Sequence, residues 1–385
     1  MIYFDNAATG GRKPHSVLSA ACEAIRSANA NPGRSGHTLS VTLAENLLNC
    51  RSFLSDFFGG YGYERTVFTK NCTEALNIAI FGLANAAPAG KAPHIITTVM
   101  EHNSVLRPLK ALERAGRARL TILRLNGKGT VSAEAFAAAV QSDTRAAVFT
   151  LASNVTGAAI DPAAVRAALP ERVLTVCDGA QACGHVPIDM RAHGIDALCV
   201  AGHKGMHGIA GSGALLFSER YDPAPFMYGG SGSESADPDM PSFYPDRLEA
   251  GTLNYPAAMS LFEGALYLKT YMAENAGRVL EMTETLTDGL KKIEGFEVFS
   301  APNPFGIAAF RCMYLQSEFF AQELSDRYGI AVRGGLHCAP LMHEALGSAD
   351  GGLVRAGLSE FNTVREVQAF LYAAEEIARE NRGAP

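Results

Sequence analysis

The sequence predicts an α/β protein: a large unit built on a mixed, mainly parallel sheet flanked by helices, followed by a small α+β C-terminal unit. Three observations predict it. Through the first two-thirds of the 385 residues, short apolar runs rich in β-branched residues alternate with Ala-, Leu- and Glu-rich stretches at helical spacing, the pattern of a buried sheet covered by helices. After a long stretch without any period, the order changes to helix, two strands, helix. The length exceeds what one small core needs and suits one large domain with a smaller companion.

Taken in order, HIITTVM (94–100), ARLTILRL (118–125), AAVFTLAS (146–153), RVLTVCDG (172–179) and DALCVAGH (196–203) read as buried, largely parallel strands. Between them lie the helix candidates SVLRPLKALERAG (104–116), SAEAFAAAV (132–140) and DPAAVRAALP (161–170). Ser132 and Asp161 suit N-caps and Gly116 a C-cap. The segment YGGSGSESADPDMPSFYP (228–245) is dense in Gly, Ser, Asp and Pro and predicts a long surface loop, which in a compact enzyme is usually functional. Helical patterns near 256–293 and 365–382 enclose the strands FEVFSAP (296–302) and FGIAAFRC (305–312). The domain change is placed near residue 260, giving units 1–260 and 261–385; no internal repeat is found.

The formal net charge is −6 with both signs mixed along the chain, so no basic stripe awaits a phosphate backbone and nucleic acid is not expected as a partner. The start MIYFDNAATGG lacks a basic, then apolar pattern, and no segment is apolar for long enough to cross a bilayer, so no membrane is expected and the location is expected to be cytoplasmic. Eight cysteines, at 22, 50, 72, 177, 183, 199, 312 and 338, are scattered without a CxxC pair or a Cys/His cluster. Neither a disulfide framework nor a metal site is indicated. Most lie in apolar surroundings, where a cysteine acts as a small buried hydrophobe.

In an open parallel sheet ligands gather at the carboxyl ends of strands, and three such ends carry chemistry. One ends in Asp178 and runs on to Gln181, one in His203 and Lys204, one in Glu101 and His102. A lysine that can hold an aldehyde and an acid that can keep a pyridine nitrogen protonated are what a pyridoxal cofactor requires. Asp178 and Lys204 fit those roles, and His102, planar and titratable, fits stacking and proton relay. NCTEALNIAIFGL (71–83) offers a polar turn opening into a helix, a natural phosphate site, with Thr73 the first hydroxyl contact and His203 supporting it. Cys338 stands apart from the other cysteines, in a Gly- and Pro-bounded loop beside His337, where an exposed thiol near an imidazole can ionise and act as nucleophile. Arg355 is placed to clamp a carboxylate by a two-point fork.

Singly, each residue has a plainer explanation. Asp178 would cap a helix, Lys204 and Arg355 would be surface charges, His102 and His337 satisfied hydrogen-bonding groups, Cys338 buried filler. One cofactor site explains all of them together, whereas the plainer account needs a separate accident for each.

With those residues assembled, the chain resembles the class V aminotransferase-fold cysteine desulfurases, within them the SUF-type, selenocysteine lyase-like branch. The matching blocks span nearly the whole chain: YFDNAATG (3–10), GRSGHTLS (33–40), VFTKNCTEALN (67–77), MEHNSVLRP (100–108), ASNVTGA (152–158), CDGAQA (177–182), AGHKGMHGIAG (201–211), LEAGTLN (248–254), IAVRGGLHCAPL (330–341) and VRAGLSEFNT (354–363). The resemblance implies the fold type I of pyridoxal 5'-phosphate enzymes, with Lys204 holding the cofactor aldehyde, Asp178 on the pyridinium nitrogen, Gln181 on the phenolic oxygen and His102 on the ring. It implies phosphate contacts from Thr73, His203 and Thr252 of a neighbouring subunit, hence a homodimer. It also implies Asn154 and Arg355 on the substrate carboxylate, Arg34 and His37 at the entrance, and Cys338 as carrier of a persulfide destined for an acceptor protein. Two departures stand out: Ala201 replaces a family serine, and Cys72, in the phosphate turn, replaces a threonine. The 228–245 segment is more compact than the family's hairpin. The activity implied is conversion of L-cysteine to L-alanine with sulfur transfer to Cys338. The alternatives are selenium release from L-selenocysteine, β-elimination on the same cofactor, or a catalytically silent sulfur-transfer scaffold.

Overall fold

The computed structural model describes residues 1–85 and 92–383. In chain order its elements are β1 (Ile2–Tyr3), α1 (His15–Ser27), α2 (Thr38–Phe57), β2 (Thr66–Thr69), α3 (Cys72–Asn85), β3 (His94–Thr98), α4 (Asn103–Arg114), β4 (Arg119–Leu123), α5 (Ala133–Ala138), β5 (Thr144–Thr150), α6 (Pro162–Ala168), β6 (Leu174–Asp178), β7 (Ala197–Ala201) and β8 (Gly213–Phe217). The 228–245 loop contributes no helix or strand. Beyond it come α7 (Tyr255–Leu290), β9 (Phe296–Val298), β10 (Ile307–Cys312), α8 (Ser317–Tyr328), β11 (Ile330–Ala331), α9 (Pro340–Ala345), β12 (Val354–Gly357) and α10 (Val364–Asn381).

The seven-stranded sheet has the order β2-β8-β7-β6-β5-β3-β4. The pairs from β4 across to β7 are parallel, and β8 runs antiparallel to both its neighbours. The five strands expected from apolar runs are those from β3 to β7. Every residue of β3, β6, β7 and β8 is buried, as strands covered on both faces must be. Ser132 and Asp161 cap α5 and α6 with their side chains, and Gly116 takes a left-handed φ of 66° just past α4. β2 and β8 escape sequence reading because each is a run of four or five residues merging into a polar or Gly-rich turn.

The helix α7 is 36 residues long, about 54 Å at 1.5 Å per residue. Its first turns (Leu261, Ala265, Leu268) pack into the core of the large sheet, and its later turns (Val279, Met282, Leu286, Leu290) pack into a second core with Phe310, Phe320 and Phe370. The packing partner therefore changes along one unbroken helix, whereas residue 260 lies in its second turn. The chain's first residues join the second core as well: β1 pairs in parallel with β11, Ile2 opposite Ile330 and Tyr3 opposite Ala331, and Phe4 lies 5.7 Å from the Phe370 ring. Truncating the fully buried Phe4 to alanine costs about 3–5 kcal/mol. No pattern within ten residues could have announced a partner 328 positions away.

Candidate active site

Because β3, β5, β6 and β7 are parallel, their carboxyl ends open on one edge of the sheet, and a cavity of about 210 Å³ lies there. Lys204 and His203 reach it from the turn after β7, Asp178 and Gln181 from the end of β6, Asn154 from beyond β5 and His102 from beyond β3. Cys72 and Thr73 enter on the first turn of α3. Asn71 accepts the Glu74 N–H at 2.9 Å, so the amides of Cys72 and Thr73 are those left without an intrahelical partner, as an anion site requires. Gly213 permits this approach, since a Cβ there would lie 2.8 Å from the backbone of Asn71.

The charges are set by burial. Burial lowers the Lys204 pKa from the ordinary lysine value, with Asp178 opposing the shift, and this favours the uncharged, nucleophilic amine. Asp178 Oδ1 accepts from the Ala180 N–H at 2.9 Å and from the Cys72 thiol at 3.4 Å. Burial, then Asp178, pushes that thiol well above its usual range, so Cys72 is a donor to Asp178 instead of a lost phosphate hydroxyl. Burial also pushes Glu101 up to about 8, so it adds no full charge beside Asp178 at neutral pH. The Gln181 amide donates to the Ala7 carbonyl at 2.9 Å.

His102 caps α4, its Nδ1 accepting the Ser104 N–H at 3.0 Å, which leaves the proton of the neutral ring on Nε2. Burial holds His102 down to about 4. Ser104 Oγ in turn lies 2.9 Å from Thr73 Oγ1, linking the ring histidine to the candidate phosphate turn. His203 is likewise held down to about 4, chiefly by burial, with Nδ1 2.9 Å from Thr9 Oγ1. Arg355 is 1% exposed; it donates to Asp5 Oδ1 at 3.0 Å and to the Asn154 carbonyl at 2.8 Å, while its buried Nε has no partner among the described residues. Such an orphaned donor in a cavity wall is suited to an anionic ligand group.

The class-V aminotransferase pattern matches residues 2–370. The chain belongs to the class-V aminotransferase family. Within this family, a probable cysteine desulfurase of Methanothermobacter thermautotrophicus is 31% identical, with 98% of this chain and 94% of the relative covered. One of Aeropyrum pernix is 32% identical, with 99% and 95% covered. Among solved structures, the apo cysteine desulfurase of Thermococcus onnurineus matches with a TM-score of 0.90 at 28% identity, covering 98% of this chain and 95% of that one. A cysteine desulfurase of Escherichia coli in an S-sulfonic acid form matches at 0.86 and 25%, covering 98% and 94%.

Other residues implied by the family resemblance lie differently from the expectation. Cys338 is half-buried in a turn whose His337 and Arg333 line the cavity, and its neighbour His337 is not a cation. Burial, then Arg355, drives the His337 imidazole far below its ordinary range, so it is neutral. The cation beside the sulfur is Arg333, whose Nη2 is 3.6 Å from Cys338 Sγ and which also lines the cavity. Arg333 drew no attention in the sequence, though it stands five residues before the cysteine in the same Gly-rich segment. Arg34 and His37 do not line this cavity within the chain. Arg34 is bound to the carbonyls of Gly230 and Gly251 at 3.2 and 3.4 Å, and His37 caps α2 by accepting from the Ser40 N–H. Thr252 is exposed in the same region, where Leu48, Tyr63 and Arg34 line a second cleft of about 310 Å³. All eight cysteines are free thiols, and no described helix is long and apolar enough to cross a membrane.

Proposed function

We propose that the chain is a cysteine desulfurase, working with pyridoxal 5'-phosphate, that moves the sulfur of L-cysteine onto Cys338 and leaves L-alanine. The observation that carries this reading is that Lys204, Asp178 and Arg355 line one cavity together with His337 and Arg333, the chain neighbour of Cys338 and the cation 3.6 Å from its sulfur. The family works with this cofactor, and the donor set fits it: an amine whose charged form burial disfavours, an acid lining the cavity and a helix N-terminus for the phosphate. Bound there, the cofactor supplies an electron sink for charge developing on the substrate α-carbon.

The chain's own residues do the rest. Lys204 would hold the aldehyde and serve as base for the α-proton; Asp178 would hold the ring nitrogen and Gln181 the phenolic oxygen, with Cys72 and Thr73 at the phosphate and His203 supporting them. His102, neutral with its proton on Nε2, would cover the ring. Arg355 and Asn154 would hold the substrate carboxylate. Cys338 Sγ would then attack the substrate sulfur, breaking its bond to carbon; the carbon takes a proton to give alanine and the enzyme keeps the persulfide. An acceptor protein would collect it. Exposed Tyr63 and Leu48 beside Arg34 support a homodimer in which Thr252 of the partner subunit completes the phosphate site and Arg34 and His37 line its entrance. Free thiols throughout support a cytoplasmic location. The division into a large cofactor unit and a small unit carrying Cys338 belongs to the same reading.

Cys338→Ala is expected to keep the cofactor's colour and lose alanine release from cysteine. Undiminished turnover in that variant rejects the nucleophile assignment.

A further inference from the structure

Beneath the Cys338 turn runs a chain of buried polar groups that the proposed reaction leaves unused. Ser348 Oγ is 2.9 Å from His343 Nδ1, His343 Nε2 is 3.2 Å from His337 Nδ1, and His337 Nε2 is 3.2 Å from the Arg333 carbonyl oxygen. The two rings stack at 18°, and all three side chains are 2% exposed or less. Only one proton arrangement satisfies this chain with neutral rings. A carbonyl only accepts, so His337 Nε2 carries hydrogen; its Nδ1 then accepts from His343 Nε2–H, and His343 Nδ1 accepts from the Ser348 hydroxyl. A second proton on either ring would turn the Ser348 hydroxyl from the His343 ring to the His343 carbonyl, 3.4 Å away, and would place a charge where burial opposes it. Burial lowers the pKa of both imidazoles, in keeping with that arrangement.

The backbone above this chain is under strain. His337 and Cys338 are consecutive non-glycine residues at φ 50° and 56°, a left-handed conformation that costs on the order of 1–2 kcal/mol per residue. On the cavity side the turn is held by the Asn154 amide on the His337 carbonyl and the Asn103 N–H on the Cys338 carbonyl, both at 2.7 Å. On the other side the His337 ring ties the turn inward, bonded to the Arg333 carbonyl and to His343. The Arg333 carbonyl that receives the chain belongs to the residue whose guanidinium lies beside Cys338 Sγ.

We propose that His343 and Ser348 are positioning residues for Cys338: through His337 they hold the left-handed turn and the Arg333 backbone so that the sulfur stays beside the guanidinium that lines the cavity. This rests on the reading of Cys338 as sulfur carrier. The test uses the full chain in both apo and cofactor-loaded forms, comparing His343→Leu, His343→Gln, Ser348→Ala and Cys338→Ser. In the loaded form, His343→Leu should slow persulfide formation at residue 338, followed by mass spectrometry, and kcat for alanine together, on the order of ten-fold. KM and the spectral response of the cofactor to cysteine should stay within about two-fold, since those report Lys204 and Arg355. In the apo form, alkylation of Cys338 by iodoacetamide should slow by about three-fold as the thiol leaves its cation. His343→Gln, whose amide N–H can still donate to His337, should restore most of each rate.

A folded His343→Leu protein with wild-type persulfide formation and alkylation overturns the proposal, as does a variant that loses KM and cofactor response in equal measure. If His343→Leu does not fold, Ser348→Ala decides by the same split, with a smaller loss of about three-fold expected and none overturning it. An inactive Cys338→Ser beside an unaffected His343→Leu sinks only the positioning role. Alanine release by Cys338→Ser sinks both readings.

Discussion

The sulfur of Cys338 and the guanidinium of Arg333 lie 3.6 Å apart, so a fixed positive charge touches the proposed nucleophile. Such a cation can steady the negative charge that gathers on the sulfur as it attacks. Arg333→Ala is expected to slow iodoacetamide alkylation of Cys338 at pH 7 by about three- to ten-fold, and Arg333→Lys by less. An unchanged rate in the alanine variant would remove Arg333 from the account of this cysteine's reactivity.

Arg355 is expected to govern substrate affinity through geometry as well as charge. With its Nη atoms on Asp5 and Asn154 and its Nε unpartnered, a lysine in its place keeps the charge and loses the fork. Arg355→Lys should raise KM for cysteine by about ten- to a hundred-fold with a smaller change in kcat. A KM within two-fold of wild type contradicts its role on the substrate carboxylate.

Acid should destabilise the apo protein early. Burial holds His102, His185 and His203 down to about 4, against about 6.5 in an unfolded chain. Between those values the unfolded chain binds more protons, so stability rises with pH and is lost as pH falls from about 6.5 toward 4. Glu101, pushed up to about 8, acts oppositely between about 4.5 and 8 but is one group against three. The Tm of the apo protein should therefore be lower at pH 5 than at pH 7 by more than about 5 °C; a flat or rising Tm toward acid contradicts the neutral, buried imidazoles.

The end of the 228–245 loop is fastened by a buried pair. Arg51 grips both oxygens of Glu249 at 2.6 Å, and the Phe68 N–H donates to the same carboxylate. Glu249→Ala strands a buried guanidinium and should cost about 3–5 kcal/mol in urea unfolding, whereas Arg51→Met with Glu249→Leu should recover much of it. Equal losses in the single and double variants would mean that the pair is not a unit.

What could be read from the sequence was what is local. The strands β3 to β7, their caps and the residues at their carboxyl ends follow from apolar runs and the polar residues that terminate them, so Asp178, Lys204 and His102 could be grouped before any coordinates. Distances between distant segments could not be read. Asp5 on Arg355, Ser104 on Thr73 and the Cys72 thiol on Asp178 join positions 350, 31 and 106 residues apart, and no periodicity carries that information. The loop bearing the proposed nucleophile Cys338 is legible from its Gly and Pro bounds, whereas its neighbours in space are not: adjacency in the chain suggests His337, but that ring bonds the Arg333 carbonyl and His343, and the side chain at the sulfur is that of Arg333.

The pairing of β1 with β11 sets an order of events for a chain leaving the ribosome. Residues 2 and 3 have no strand to join until position 331 has emerged, and Asp5 meets its guanidinium only after position 355. Closure of so long a loop comes late, so a nascent chain stalled near residue 320 should carry a protease-sensitive amino-terminal stretch beside an already protected sheet. Protection of that stretch in such stalled chains would show that it finds another shelter first.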